Sequence, residues 1–483
     1  MPDPAIPRHI PLYEQLAAEI VEQIRAGTFQ PGERLPSVRQ ISRQKALSVT
    51  TVLQTYQLLE DRGAVEARPQ SGYYVRARPP ELAAPQAEIT PEAAAAVLDP
   101  KNISIDDLAI DVVRSTLNPD LVQLGAALPD PALLPTARLN RILAQIARNP
   151  GPIYNTTGQI EGMLALRTSV AKRAFTTGCS LSPDELVITV GCTEALHLSL
   201  RAICKPGDLV AIESPTYFGI LQVLQSLGLR ALEIPTHPQT GISLEALRFA
   251  LENHPIKAVL VVPNFNNPLG SLMPPENKRE LVEMLAAKEI PMIEDDIYGE
   301  LAFSGQHPGV AKAYDRKGLV LLCSSFTKDI SPSFRVGWLA PGRYQDQIVR
   351  LKMATTLGTA TLPQLAIAEF LESGGYDHHL RKIRRAYAEK AAQMAHAVLR
   401  YFPEGTRVTS PSGGFVLWVQ MPPQVDSLVL SRRAVENGVT FAPGYIFSAT
   451  PRYANYIRLN AAYMSFTAER ALKRLGELIA ELL

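Results

Sequence analysis

Apolar and polar positions alternate in two successive patterns along the chain. Over residues 12–26 (LYEQLAAEIVEQIRA), Leu12, Leu16, Ile20 and Ile24 recur at helical spacing, and Gly27 stops the run. Further helices are predicted at 36–43 (PSVRQISR) and 49–62 (VTTVLQTYQLLEDR), the latter with Ser48 as N-cap. The short turn Gln44-Lys45-Ala46-Leu47 lies between them, and two short helices about such a turn read as helix-turn-helix. Ala64–Ala67 and Tyr73–Arg76, separated by a turn at Pro69-Gln70-Ser71-Gly72, read as a small β wing. This first domain is expected to span residues 1–78.

Residues 79–103 (PPELAAPQAEITPEAAAAVLDPKNI) are rich in Pro and Ala and poor in large apolar residues, the composition of a semi-rigid linker. From 104 to 483 the pattern changes. Short β-branched runs at 186–190, 209–213, 258–262, 292–296 and 319–323 alternate with helical stretches, which predicts an α/β domain with a largely parallel sheet.

Composition narrows the class. The hydrophobic share is 46% and the charged share 20%, ordinary for a soluble globular protein. The net charge of +1 means that any nucleic-acid face must be a local patch. Cys179, Cys192, Cys204 and Cys323 form no C-x-x-C pair, so neither a disulfide framework nor a metal site is expected. No apolar run approaches the roughly 20 residues that cross a bilayer, and Met-Pro-Asp-Pro does not open a signal peptide. A reduced, cytoplasmic protein without membrane partners is the expectation.

A candidate patch lies in the helix-turn-helix. From Arg34 to Leu59 there is no acidic residue, while Arg34, Arg39, Arg43 and Lys45 are present. Phosphate attraction needs such a locally positive face. Ser48, Thr50 and Thr51 are small enough to let a helix start approach backbone or base edges. On spacing alone, a solvated basic face of any three-helix domain serves equally well. The elements PGERLPSVRQ, VTTV..TYQLLEDRG and SGYYV, however, closely resemble the GntR-family winged helix-turn-helix over about 70 residues. The resemblance implies that Arg39, Thr50 and Thr51 sit near double-stranded operator DNA, with Gly72 at the wing tip. Arg43 and Lys45 would contact phosphate.

The larger domain offers the parts of a pyridoxal phosphate (PLP) site. Such a site needs a lysine for a Schiff base, an acid at the pyridine nitrogen, donors to the ring oxygen, a stacking aromatic and a helix start for the phosphate. Strand 186–190 runs into Gly191-Cys192-Thr193-Glu194 and a helix; Tyr217 sits in SPTYFG; Asn267 in PNFNNPLG; Asp295 and Tyr298 in IEDDIYGE; Lys328 and Arg335 in SSFTKDISPSFRVGW. Each taken alone also reads as ordinary turn, core or surface chemistry. Asp295 is the more suggestive, because ligands bind outside the carboxyl ends of parallel strands.

In order and spacing these motifs resemble fold type I aminotransferases from about residue 121 to the C-terminus. Carried over, the resemblance implies that Lys328 forms the aldimine with PLP and that Asp295 pairs with the pyridinium nitrogen. Asn267 and Tyr298 would bond the ring oxygen and Tyr217 would stack on the ring. Cys192, Thr193, Ser325 and Arg335 would hold the phosphate. Tyr154 would reach the partner subunit's cofactor, and Arg458, in YIRLN, would bind an amino-acid carboxylate beside Asn267. Cys192 stands where relatives often carry Ser. A GntR-type head on an aminotransferase-like body resembles the MocR subfamily of bacterial regulators. That implies a homodimer, binding operator DNA and sensing PLP, or an amino acid or amine, through an aldimine at Lys328. A working aminotransferase, moving an amino group from an L-amino acid to a 2-oxo acid, is the alternative.

Overall fold

The computed structural model describes residues 11–25, 28–30, 32–61, 64–68, 72–75, 101–102, 108–115, 118–148 and 159–483. Gly27, the turn at 69–71, Tyr154 and most of the predicted linker lie outside them. The chain divides into two compact units, an N-terminal head and a larger body.

In the head, α1 (Leu12–Arg25), α2 (Val38–Lys45) and α3 (Val49–Asp61) precede β1 (Val65–Arg68) and β2 (Gly72–Val75). Leu16, Ala17 and Ile20 of α1 pack against Ile41, Val52, Tyr56 and Leu59. Leu12, part of the predicted stripe, is 56% exposed, because the stripe runs past the small core at its first turn. Helix α2 starts two residues later than predicted, because Ser37 caps it by accepting from Gln40 N. It ends at Ala46 in the left-handed region (φ 51°), which tightens the turn into α3. Ser48 caps α3, accepting from Thr51 N at 3.0 Å. The wing strands pair antiparallel, Val65 opposite Val75 and Arg68 opposite Gly72.

The body is built on a mixed sheet. Its strands are β3 (Lys101–Asn102), β5 (Val187–Thr189), β6 (Leu209–Ser214), β7 (Arg230–His237), β8 (Gly241–Ile242), β9 (Ile256–Val261), β10 (Met292–Asp295), β11 (Val320–Ser325) and β12 (Gly337–Ala340). The order is β3-β7-β6-β9-β10-β11-β12-β5, with β8 beside β7. Strands β7, β6, β9, β10 and β11 are parallel, whereas β12 runs antiparallel to both β11 and β5. Lys101–Asn102, at the end of the predicted linker, joins the sheet against β7. Successive residues of β6 feed opposite cores: Val210 and Ile212 join one apolar cluster, Leu209 and Ala211 the other. Burial on both faces explains why these runs are continuously apolar. The parallel register brings the ends of β6, β9, β10 and β11 to one edge, Asp295 lying opposite Cys323.

The C-terminal part adds a four-stranded antiparallel sheet, β13 (Arg407–Val408), β14 (Val416–Gln420), β16 (Ala442–Pro443) and β17 (Tyr456–Asn460), in the order β13-β14-β17-β16. Strand β4 (Val122–Gln123) pairs with β15 (Val439–Thr440). Among the described residues, no helix is long and apolar enough to cross a membrane.

Candidate cofactor pocket and DNA-binding face

Strand β5 becomes helix α4 (Gly191–Ile203) at Gly191, whose φ is 74°. A side chain there would strike Arg335, whose Nη2 lies 2.5 Å from the Cβ position. Only glycine supplies both that backbone angle and that space. Gly337 closes the other side, its Cβ position 2.6 Å from Gly191 C. Since Gly337 is opposite Ser325 in the sheet, the start of α4, Ser325 and Arg335 meet at one place. Ser325 Oγ bonds Thr327 Oγ1 at 2.7 Å and Val336 O at 3.0 Å. Thr193 is exposed on the first turn of α4. Free N–H groups, a guanidinium and hydroxyls at a helix start make an anion site.

Three residues beyond Ser325, the partly buried Lys328 donates from Nζ to Ala127 O at 2.7 Å and lies 5.6 Å from the centre of the Tyr298 ring. Burial, and then the charges of Arg458 and Arg335, bring its amine down to about 8, against the pull of Asp295. Asp295 ends β10 and is buried; burial pushes its carboxyl up to about 6 despite hydrogen bonds from Cys192 and Ile297 N. Tyr298 follows, its Oη enclosed and without a partner among the described residues, and burial holds its phenol well above the usual range. Tyr217 precedes the helix Phe218–Ser226 and lies within electrostatic reach of Arg458 and Asp295.

Arg458, on β17, is fully buried and lies 5.3 Å from the centre of the Phe447 ring. Its Nη1 donates to Asn267 Oδ1 at 3.1 Å and its Nη2 to Gly125 O, while Nε has no partner among the described residues. Burial lowers the guanidinium to about 10, still far above neutrality. The segment after β4 is pinned carbonyl by carbonyl. Leu124 O accepts from Asn460 N (2.9 Å), Ala126 O and Leu128 O from Asn460 Nδ2 (2.6 and 2.8 Å), and Pro129 O from Tyr463 (3.4 Å). Lys328 and Arg458 take the two carbonyls between.

Sequence reasoning missed a second layer. Glu213, near the end of β6, accepts from Val262 N at 2.8 Å and Asn266 Nδ2 at 2.7 Å, holding the loop that carries Asn267. Burial pushes this carboxyl up to about 8. Asn264 donates to Asp296 at 2.7 Å and accepts from the buried Lys278 at 2.7 Å, and His307 bonds Asp296 at 2.8 Å. The strand-end argument that singled out Asp295 applies equally to Glu213.

On the head, Arg39, Arg43 and Thr50 are exposed. Lys45, expected at phosphate, is paired with Glu19 of α1. The Ser48 hydroxyl, also expected near DNA, is bonded to Thr51 Oγ1 at 2.8 Å and serves the cap. Gly72 lies on β2 with φ 108°, beside the Arg34 guanidinium. No cluster of His, Cys, Asp or Glu fit for a metal occurs among the described residues.

Fold and geometry together define a DNA-binding head on an aminotransferase-type body. Residues 123–475 match the family of class I and II aminotransferases, and residues 12–75 match the bacterial regulatory proteins of the gntR family. The chain therefore belongs to the MocR subfamily of GntR-type transcription regulators. It is 40% identical to YdcR, an uncharacterized HTH-type transcriptional regulator of Escherichia coli (strain K12), over 97% of this chain and 99% of that one. YjiR of the same strain, described in the same words, is 38% identical over 97% and 98%. Among solved structures, the kynurenine aminotransferase of Pyrococcus horikoshii is similar with a TM-score of 0.72 and 31% identity, over 78% of this chain and 94% of that one. The cofactor of this aminotransferase family is PLP.

Proposed function

We propose that this regulator reads the state of a PLP pocket in its body and passes that state to operator binding by its head. The observation that carries the reading is the clustering of Lys328 with the Tyr298 ring and with the charges of Asp295, Arg458 and Arg335, where Arg458 holds Asn267 and Arg335 lies against Gly191. The residues fit PLP. Gly191 and Gly337 keep side chains out of the cradle, and Tyr298 Oη and Arg458 Nε have no partner among the described residues.

When bound, PLP supplies an aldehyde that condenses with primary amines and a ring that draws electrons from what is attached. Lys328, lowered to about 8, holds a larger share of free, nucleophilic amine near neutral pH than an ordinary lysine. Asp295, as the carboxylate, holds a proton on the ring nitrogen. Asn267 and Tyr298 donate to the ring oxygen, and Tyr217 covers the ring face. The first turn of α4 (Cys192, Thr193) binds the phosphate with Ser325 and Arg335. Arg458 selects ligands that bear a carboxylate. A homodimer with Tyr154 reaching the partner's pocket completes the proposal, as does action in the bacterial cytoplasm, where the operator lies.

An amino acid or amine bound beside PLP would compete for Lys328 and Arg458, and so would change their hold on the carbonyls of Ala127 and Gly125. A ligand shifts such an equilibrium only by its differential affinity for the two states. The test is enrichment of host-genome fragments on the purified protein, with and without PLP and amino acids, for the wild type and Lys328→Ala. Selective enrichment that responds to ligand in the wild type alone is expected. A Lys328→Ala protein with the same visible spectrum and the same response refutes it. The buried, forked Arg458 also favours amino-transfer; steady turnover of an amino-acid and oxo-acid pair at ordinary enzyme rates would make that the primary reading.

A further inference from the structure

Cys192 stands on the first turn of α4, where its backbone belongs to the anion cradle, but its side chain points elsewhere. Its Sγ donates to Asp295 Oδ1 at 3.3 Å. The backbone N–H of Ile297 donates to the same oxygen at 3.1 Å. Asp295 Oδ1 is thus occupied by two protein donors, while no hydrogen bond reaches Oδ2 among the described residues. The thiol lies in the apolar cluster of Val187, Leu321, Cys323 and Leu339. A thiol is a weak donor that an apolar cluster accepts more readily than a hydroxyl. Burial raises its pKa well above the ordinary value, so it remains a donor throughout the physiological range.

We propose that Cys192 is a positioning residue for Asp295: by holding Oδ1 it leaves Oδ2 as the oxygen that meets the ring nitrogen of PLP. The inference rests on the PLP reading of the pocket. It reassigns the side chain at this position, since the phosphate would be met by the backbone of α4 and not by the thiol. It also couples two ends of the cofactor. The turn that grips the phosphate and the acid that grips the ring nitrogen are joined through one side chain. A donor to Oδ1 favours the ionised carboxyl, offsetting part of the burial that pushes Asp295 up to about 6. Without it the carboxyl spends more time protonated at neutral pH and holds the ring-nitrogen proton less firmly.

The test uses the full-length protein loaded with PLP labelled with nitrogen-15 in the ring, as wild type, Cys192→Ala and Cys192→Ser. The readouts are the ring-nitrogen chemical shift across pH and the PLP dissociation constant. In the wild type the ring nitrogen is expected to be protonated. Cys192→Ala should move its shift toward the unprotonated value and weaken PLP binding about 2- to 10-fold, the worth of one hydrogen bond from a weak thiol donor. Cys192→Ser, which restores a donor, should return both readouts to the wild-type range. A wild-type protein that binds no PLP sinks the underlying reading of the pocket. A wild type that binds PLP, with Cys192→Ala indistinguishable from it, overturns the role of the thiol alone. Should Cys192→Ala not fold, Cys192→Ser decides by itself: a serine protein with a displaced nitrogen shift shows that shape rather than donation matters, and the proposal fails.

Discussion

Replacing Arg458 with lysine keeps the charge and most of the buried volume but removes the fork. In the protein, Nη1 is committed to Asn267 at 3.1 Å and Nη2 to Gly125 O. A ligand carboxylate would take the place of the Gly125 carbonyl and meet the guanidinium with two charged hydrogen bonds. Lysine is a point donor and cannot serve Asn267 and both carboxylate oxygens in the same plane. The loss of one charge-assisted hydrogen bond is about 1.5–3 kcal/mol. At about 1.4 kcal/mol per decade that is about a 10- to 150-fold weaker complex. The assay is a titration of the visible absorption of the PLP-loaded protein with an amino acid, and in parallel with the amine that lacks only the carboxylate. The amino acid should weaken by that factor, and the amine should change no more than about twofold, since it never met the fork. Equal weakening of both would refute the carboxylate role and point to general damage to the pocket.

Three further outcomes are expected. Tyr56 is fully buried and stacks on Tyr73 at 4.6 Å, so Tyr56→Ala should cost the head about 3–5 kcal/mol and abolish DNA binding while PLP absorption persists; retained DNA binding would contradict this. Arg39→Gln should lower the slope of log affinity against log salt by about 0.9, and Lys45→Gln by less, because Glu19 already neutralises Lys45; equal slopes would count against the pairing. Glu213 is raised from 4.5 to about 8, so in that window the folded protein keeps a proton that the unfolded chain has released. Its contribution to stability is full below the lower value and is lost as pH climbs to the upper. Glu213→Gln should therefore flatten the fall in melting temperature over that range, and an unchanged slope would exclude Glu213 as its source.

Much of the fold and of the site is legible in the sequence, for physical reasons. A fully buried parallel strand must be continuously apolar, so LVAIE at 209–213 could hardly be anything else, and the strand ends then pointed to Asp295. The order of motifs placed Lys328, Asn267 and Arg458 in one family site, and the fold brings Asn267 and Arg458 within hydrogen-bond distance across 191 positions of sequence. What stayed hidden were contacts between segments whose composition says nothing special. The carbonyls of Leu124 to Pro129 carry no side-chain signal, yet they meet Lys328, Arg458 and Asn460. The pairing of Lys45 with Glu19 depends on how α1 crosses the turn, which periodicity does not specify. The direction of the Cys192 side chain follows from the local frame of a glycine turn, a matter of dihedrals and not of residue type.

The row of pinned carbonyls after β4 makes ligand entry a trade. Lys328 and Arg458 already have internal partners in Ala127 and Gly125, so an incoming cofactor or carboxylate displaces backbone acceptors before it gains its own bonds. The affinity observed is then the intrinsic affinity scaled by the fraction of time the segment stands clear. Sensitivity can thus be set from outside the pocket: a substitution at Asn460 or Tyr463, touching no ligand, would loosen the segment and raise apparent affinity. By the same linkage, whatever tightens the segment lowers it. The threshold concentration at which such a sensor responds is written partly in a stretch of main chain.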